Sequence, residues 1–182
     1  LLFLLILTTA SVTNAQWTNL PTSSTSYFDE PRFTSENVGY ALIRPDNQTP
    51  KSLYRTANGG KDWSIIVPDS LSASSYQVID GCFVNDNLGY LLVRDISAKR
   101  GYLFKTQNAG AQWTDITPDS LVKNSYGGNR IYFANENDGH LFSYDGLMVT
   151  HDGGAKWTRQ GIRPDPFSNY VSINDFDFYD KN

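Results

Sequence analysis

The side chains with most to offer chemically are two arginines, Arg44 and Arg94, which stand 50 residues apart in matching contexts, Leu-Ile-Arg and Leu-Val-Arg. A guanidinium presents a planar fork of donors that fits a carboxylate bidentately, so two such forks brought together would hold a carboxylate or an acidic peptide. The alternative is that both are solvated ends of a strand. Tyr76 and Tyr126 repeat at the same interval, with rings suited to stacking on sugars or to packing between layers. His140 and His151 have no ligand-like spacing, and stretches such as Asn85-Asp86-Asn87 have the composition of ordinary turns, so neither a metal nor a cofactor is expected. Cys82 is the single cysteine. It rules out a disulfide framework and, with no His nearby in sequence, reads as a small buried residue beside Phe83. No carboxylate pair stands out from surface turns, so no catalytic residue is assigned.

Three octapeptides share a further pattern: Thr56-Ala-Asn58-Gly-Gly60-Lys-Asp-Trp63, Thr106-Gln-Asn108-Ala-Gly110-Ala-Gln-Trp113 and Thr150-His-Asp152-Gly-Gly154-Ala-Lys-Trp157. In Thr-x-Asn/Asp-x-Gly-x-x-Trp the Asn or Asp oxygen is placed to accept amides of the turn ahead. The Gly permits the positive φ that tightens the turn, and the Trp brings a large ring back to be buried between layers. Thr56, Thr106 and Thr150 suit the ends of the incoming strands and can bond locally. These residues define a folding unit with no catalytic group among them.

The elements that carry these residues are set by an internal repeat. Residues 33–76 shifted by 50 onto 83–126 give 18 identities in 44 ungapped pairs, including Phe33/Phe83, Asn37/Asn87, Gly39/Gly89, Tyr40/Tyr90 and the tetrapeptide Pro-Asp-Ser-Leu. Phe133, Asn137 and Gly139 continue the spacing; Thr150, Gly154 and Trp157 arrive six residues early, and Phe178 opens a fourth copy. Each copy reads as four short strands between Gly/Asn/Asp punctuation. In the second, these are a strand into Phe83, then Gly89 to Arg94, Tyr102 to Thr106 and Trp113 to Thr117. No segment keeps a 3.6-residue apolar period over helical length. The deletion in the third copy falls in a strand connection, where Asp145-Gly146 reads as a type I′ hairpin turn. Four strands at this period predict an all-β fold, a β-propeller of four-stranded blades, present as about three blades plus the start of a fourth; a β-sandwich is the competitor.

The expected domain layout is a signal peptide at 1–15, then a partial propeller over 16–182. Its parts are an orphan closing strand at 16–21, repeats at about 27–71, 77–121 and 127–163, and the start of the next at 171–182. Leu1 to Leu7 are all apolar and lead to a small-residue site at Thr13-Asn14-Ala15, which predicts export with Gln16 as the mature start. With no initiator Met and no basic n-region, the chain is read as beginning within the signal. Trp17 lies in a segment matching the fourth strand at Trp113, as expected if it completes a last blade lying beyond Asn182. Seven apolar residues cannot cross a bilayer. Aromatics at 14% and charges at 19% exclude a disordered tail, while a net charge of −4 with scattered Lys and Arg excludes a nucleic-acid binder. Asn47-Gln48-Thr49 fits a glycosylation sequon, relevant only in a eukaryotic secretory pathway.

The octapeptides resemble the Asp-box (BNR) repeat, Ser/Thr-x-Asp-x-Gly-x-x-Trp, of sialidases, sortilin-type receptors and the photosystem II assembly factor family called Ycf48/Hcf136-like. Asn58 and Asn108 replace the family's Asp and keep its acceptor oxygen. The Phe-x-x-x-Asn-x-Gly-Tyr segment ahead of the octapeptides, with His140 in place of Tyr in the third, is closer to the Ycf48-like version. The resemblance implies an exported, non-catalytic propeller that binds a protein or carbohydrate on one face, with Arg44 and Arg94 as candidate contacts. Two alternatives stand beside it: a sialidase-type glycoside hydrolase with catalytic residues in further blades, and a sortilin-like peptide receptor. The sialidase Phe/Tyr-Arg-Ile-Pro segment is absent, and Glu30-Pro31-Arg32-Phe33 shares only letters with it.

Overall fold

The computed structural model describes residues 27–44, 51–71, 75–122, 128–143 and 146–160. The segments expected as signal peptide and as a closing strand at 16–21, the sequon, Tyr126, Tyr144 and the copy expected to open at Phe178 lie outside them. Three four-stranded antiparallel sheets follow one another along the chain. The first holds β1 (Tyr27–Phe33), β2 (Gly39–Arg44), β3 (Ser52–Thr56) and β4 (Ser64–Ile65). The second holds β5 (Tyr76–Phe83), β6 (Gly89–Asp95), β7 (Arg100–Thr106) and β8 (Thr114–Asp115). The third holds β9 (Gly128–Phe133), β10 (Gly139–Ser143), β11 (Gly146–Thr150) and β12 (Thr158–Arg159). Each sheet is ordered as its strands run in sequence, so every connection is a hairpin.

The second strands explain why the sheets stack. Tyr40 to Ile43 and Tyr90 to Val93 are buried without alternation, because both faces of the sheet are covered by protein. One face of each blade packs forward. Tyr40, Leu42 and Leu53 of the first blade meet Val78, Leu91, Val93 and Phe104 of the second. In the same register Tyr90, Leu92 and Leu103 of the second meet Ile131, Phe133, Leu141 and Met148 of the third. Each side chain buried this way contributes about 1.5–3 kcal/mol. The repeated Pro-Asp-Ser-Leu segments plug these seams. Leu71 and Leu121 each donate their amide to the carbonyl of the Pro three residues earlier, and Leu121 is fully buried against the core.

Two details depart from the sequence reading. The fourth strand of the second blade is only two residues long rather than running from Trp113 to Thr117. Beyond Asp115 the Ile116 amide still donates to the Leu103 carbonyl at 2.8 Å, and a side chain then takes over, as Thr117 Oγ1 accepts the Leu103 amide at 2.9 Å while Asp115 Oδ1 accepts the Thr117 amide. In the third blade the hairpin turn is not Asp145-Gly146. Gly146 is paired with Ser143 inside the ladder, with φ of 116°. The register is set from the other end of the hairpin. Gly39, Gly89 and Gly139 lie opposite Thr56, Thr106 and Thr150 in every blade, and the deletion absorbs what is left.

Candidate binding faces of the blades

The two ends of each blade differ in chemistry. At one end lie the octapeptide turns, built alike in all three blades. The buried Thr56, Thr106 and Thr150 hydroxyls each donate to the Asn or Asp two residues on, at 2.9–3.0 Å. Each hydroxyl also accepts the amide of Gly60, Gly110 or Gly154, again at 2.9–3.0 Å. The Asn58, Asn108 and Asp152 Oδ1 atoms accept amides four residues ahead, at 2.8–3.0 Å. Asn and Asp serve alike in the turn because these bonds use only the acceptor oxygen; the Asn58 and Asn108 side-chain amides also donate outward, to Asp62 at 2.7 Å and to Gln112 at 3.4 Å. The Lys156 amide, then the Thr150 hydroxyl, hold the Asp152 carboxyl below its ordinary pKa. The main-chain carbonyls of Asn37, Asn87 and Asn137 accept the next amide in each turn at 2.9 Å. That amide belongs to Gly59 or Gly153 in two blades and to Ala109 in the other, all with φ of 60–69°.

The Trp rings are half-buried and take part in a larger device that the sequence did not disclose. Phe33, Phe83 and Phe133 each lie over the glycine of their own Gly-Tyr or Gly-His pair. A Cβ at Gly89 or Gly139 would fall 2.3–2.4 Å from the ring. Trp63, Trp113 and Trp157 meet these rings edge-on at 6.0–6.3 Å. Across the seam, Tyr40 stacks on Phe83 at 3.3 Å and Tyr90 stacks on Phe133 at 3.5 Å between centroids. The Tyr hydroxyls then reach next-blade carbonyls, Asp86 from Tyr40, and Gly153 and Glu136 from Tyr90. The Phe, Gly and Tyr of the repeat are therefore a blade-to-blade fastening. Trp113 adds to it by donating its indole N–H to the Ile66 carbonyl of the first blade at 2.9 Å, whereas Trp63 and Trp157 donate within their own turns.

Arg44 and Arg94 lie at the opposite end of the blades from these turns. They occupy the same place in β2 and β6, partly buried, with Arg44 opposite Tyr27 and Arg94 between Gln77 and Gly101. Burial lowers the Arg94 pKa from its ordinary value. The third member of the series, Tyr144, is outside the described residues. Tyr76 is partly buried against the core between the first and second blades, edge-on to Tyr102 at 6.1 Å.

Three further groups resolve into structural roles. Cys82 is buried, burial pushes its thiol up to about 11, and its Sγ accepts the Phe133 amide across the seam at 3.3 Å. Asp80, at a bulge in β5, is buried: Oδ1 accepts the Gly81 amide and Oδ2 the Ile131 amide of the next blade, both at 2.9 Å, with Arg130 3.8 Å away. Nothing in the repeat pointed to Asp80, because its counterparts are Glu30 and Arg130. The exposed His151 Nδ1 lies 2.7 Å from Asp138 Oδ1, and His140, in the strand beside them, is held below its ordinary pKa by burial. No group of three potential metal ligands occurs among the described residues.

Sheets of this kind, stacked face to face through a repeated seam, are the blades of a β-propeller. Among solved structures the chain is similar to Ycf48 bound to D1 peptide, at 19% identity and a TM-score of 0.57. The match covers 78% of this chain and 41% of that one, so the chain spans less than half of that protein's length. The likeness is one of fold. No family profile and no curated protein match the chain.

Proposed function

We propose that this chain is part of an exported Asp-box propeller that serves as a binding scaffold for a protein partner carrying carboxylates. One observation carries this reading: the repeated Thr hydroxyls and Asn/Asp oxygens of the octapeptides are spent on their own turns, while the other end of the blades repeats a guanidinium, Arg44 and Arg94, at one register position. Partly buried guanidiniums lose less freedom on binding a carboxylate than fully solvated ones. The peptide bound by the similar Ycf48 lends the reading support. The test is binding of fluorescein-labelled hexaglutamate, with hexaglutamine as the neutral control, measured by anisotropy at low and high salt. Hexaglutamate should bind in a salt-sensitive way and release on Arg44→Ala/Arg94→Ala. Equal binding of the two peptides, or retention in the double variant, would overturn it. Export is tested separately by the N-terminus of secreted protein, expected at Gln16.

A further inference from the structure

A cleft of about 300 Å³ opens beside the seam between the second and third blades, at the octapeptide end. It is lined by Lys105, Gln107, Asn108, Gln112, Thr114 and Ile116. Lys105 stands opposite both Tyr90 and Thr114 in the ladder, with its ammonium 5.3 Å from the Tyr90 ring centre and donating to the Gly153 carbonyl at 3.0 Å. Those contacts fix the ammonium in place with donor capacity to spare. Ile116 supplies an apolar wall, its Cδ1 so close to Gly154 that a Cβ there would lie 2.8 Å from it. Among the described residues, no carboxylate lines the cleft.

The chemistry of this lining is specific. Gln107, Gln112 and Thr114 carry carboxamides and a hydroxyl, groups that donate and accept at once, as sugar hydroxyls do, while Asn108 keeps its oxygen for the turn and directs its amide to Gln112 at 3.4 Å. A single ammonium among them matches a single carboxylate. A volume at the small end of ligand cavities fits one compact polar ring better than an extended peptide. The other seam does not reproduce the site: Arg55, Ala57 and Asp62 stand where Lys105, Gln107 and Gln112 stand, which adds an acid and removes two amides. We infer that this cleft binds a small polyhydroxylated carboxylate, a hexuronate unit free or at the end of a glycan. This adds a ligand class to the scaffold reading and uses neither Arg44 nor Arg94, so the two can fail independently.

The key variant is Gln112→Glu. At the equivalent position Asp62 accepts the Asn58 side-chain amide at 2.7 Å, so the turn tolerates an acid there. The new charge would face the bound carboxylate. With the full chain labelled with ¹⁵N, sodium glucuronate should shift the side-chain amide signals of Gln107, Asn108 and Gln112 saturably. Glucose, lacking the charge, should bind about tenfold more weakly or less, the worth of one charge-assisted hydrogen bond. Gln112→Glu should remove most of the glucuronate affinity with an unchanged backbone spectrum, and Lys105→Met should bring glucuronate down to the level of glucose. Equal affinities for glucose and glucuronate, shifts as large with acetate, insensitivity to Gln112→Glu, or hexaglutamate occupying the cleft in place of glucuronate would each overturn the assignment. Loss of hexaglutamate binding alone would leave it standing.

Discussion

Replacing Gly89 by Ala puts a methyl group where no side chain fits. Its Cβ would lie 2.3 Å from Phe83 Cε1, 2.4 Å from Cδ1 and 2.6 Å from Cζ. The ring cannot simply withdraw, because its far face lies on Tyr40 at 3.3 Å and Trp113 meets it edge-on at 6.3 Å. Displacing it forfeits two aromatic pairs at about 0.5–1.5 kcal/mol each and adds overpacking of about 1–3 kcal/mol. The expected cost is thus roughly 2–6 kcal/mol. The control is Gly81→Ala, whose Cβ would meet Leu53 Cδ1 at an ordinary 3.4 Å; it should stay within about 1 kcal/mol. Urea unfolding of the full chain, followed by Trp fluorescence, gives both values. A second arm repeats Gly89→Ala in a Phe83→Ala background, where the clash has no target and most of its cost should vanish. Equal costs for the two glycines, or an undiminished cost without the Phe83 ring, would refute the seam argument.

Ala109 holds a left-handed φ of 60° where the other blades use glycine; Ala109→Gly should stabilise by roughly 0.5–1 kcal/mol, strain relief outweighing unfolded-state entropy, as a denaturant midpoint will show. Trp113→Ala should cost about 3–5 kcal/mol and Gln112→Ala under about 0.5 in the same assay. Stability should also fall with acid in the third blade. Burial favours neutral His140, so its contribution is full above the ordinary His value of 6.5 and drains away as pH falls toward its lower folded value. The His151 bond holds the Asp138 pKa down, and that contribution is lost further into acid. His140→Tyr, which restores the residue of the other two blades, should flatten the midpoint between pH 7 and 5, leaving only the carboxylate step.

The blade pattern was legible because identities at a fixed spacing report a shared backbone even when the contacts are unknown. The octapeptides were legible for a different reason: Thr56, Asn58 and Gly60 act within one turn, so spacing alone predicts which oxygen meets which amide. Phe83, Gly89 and Tyr90 were visible as repeated letters without a role, since their partners sit in adjacent sheets and depend on how blades stack. Asp80 left no trace in the repeat, because a buried carboxylate spanning one seam needs no equivalent elsewhere. The turn of the third hairpin was misplaced because Asp-Gly is a strong local signal, while the ladder is aligned from Gly139 and Thr150 at its far end.

The Tyr-on-Phe fastening has a direction. The first and second blades each offer a tyrosine to the neighbour ahead, and the second and third each a phenylalanine to the neighbour behind, so the contact joins two unlike surfaces. Such an unlike, head-to-tail contact either closes into a ring or runs on without end. Each sheet also draws its support from the ones on either side, as in a row of interlocked tiles. Loosening the stack at Phe83 would therefore be felt first by the first and second blades, with the third holding to the second through Tyr90 and Phe133 until that joint, too, gives way.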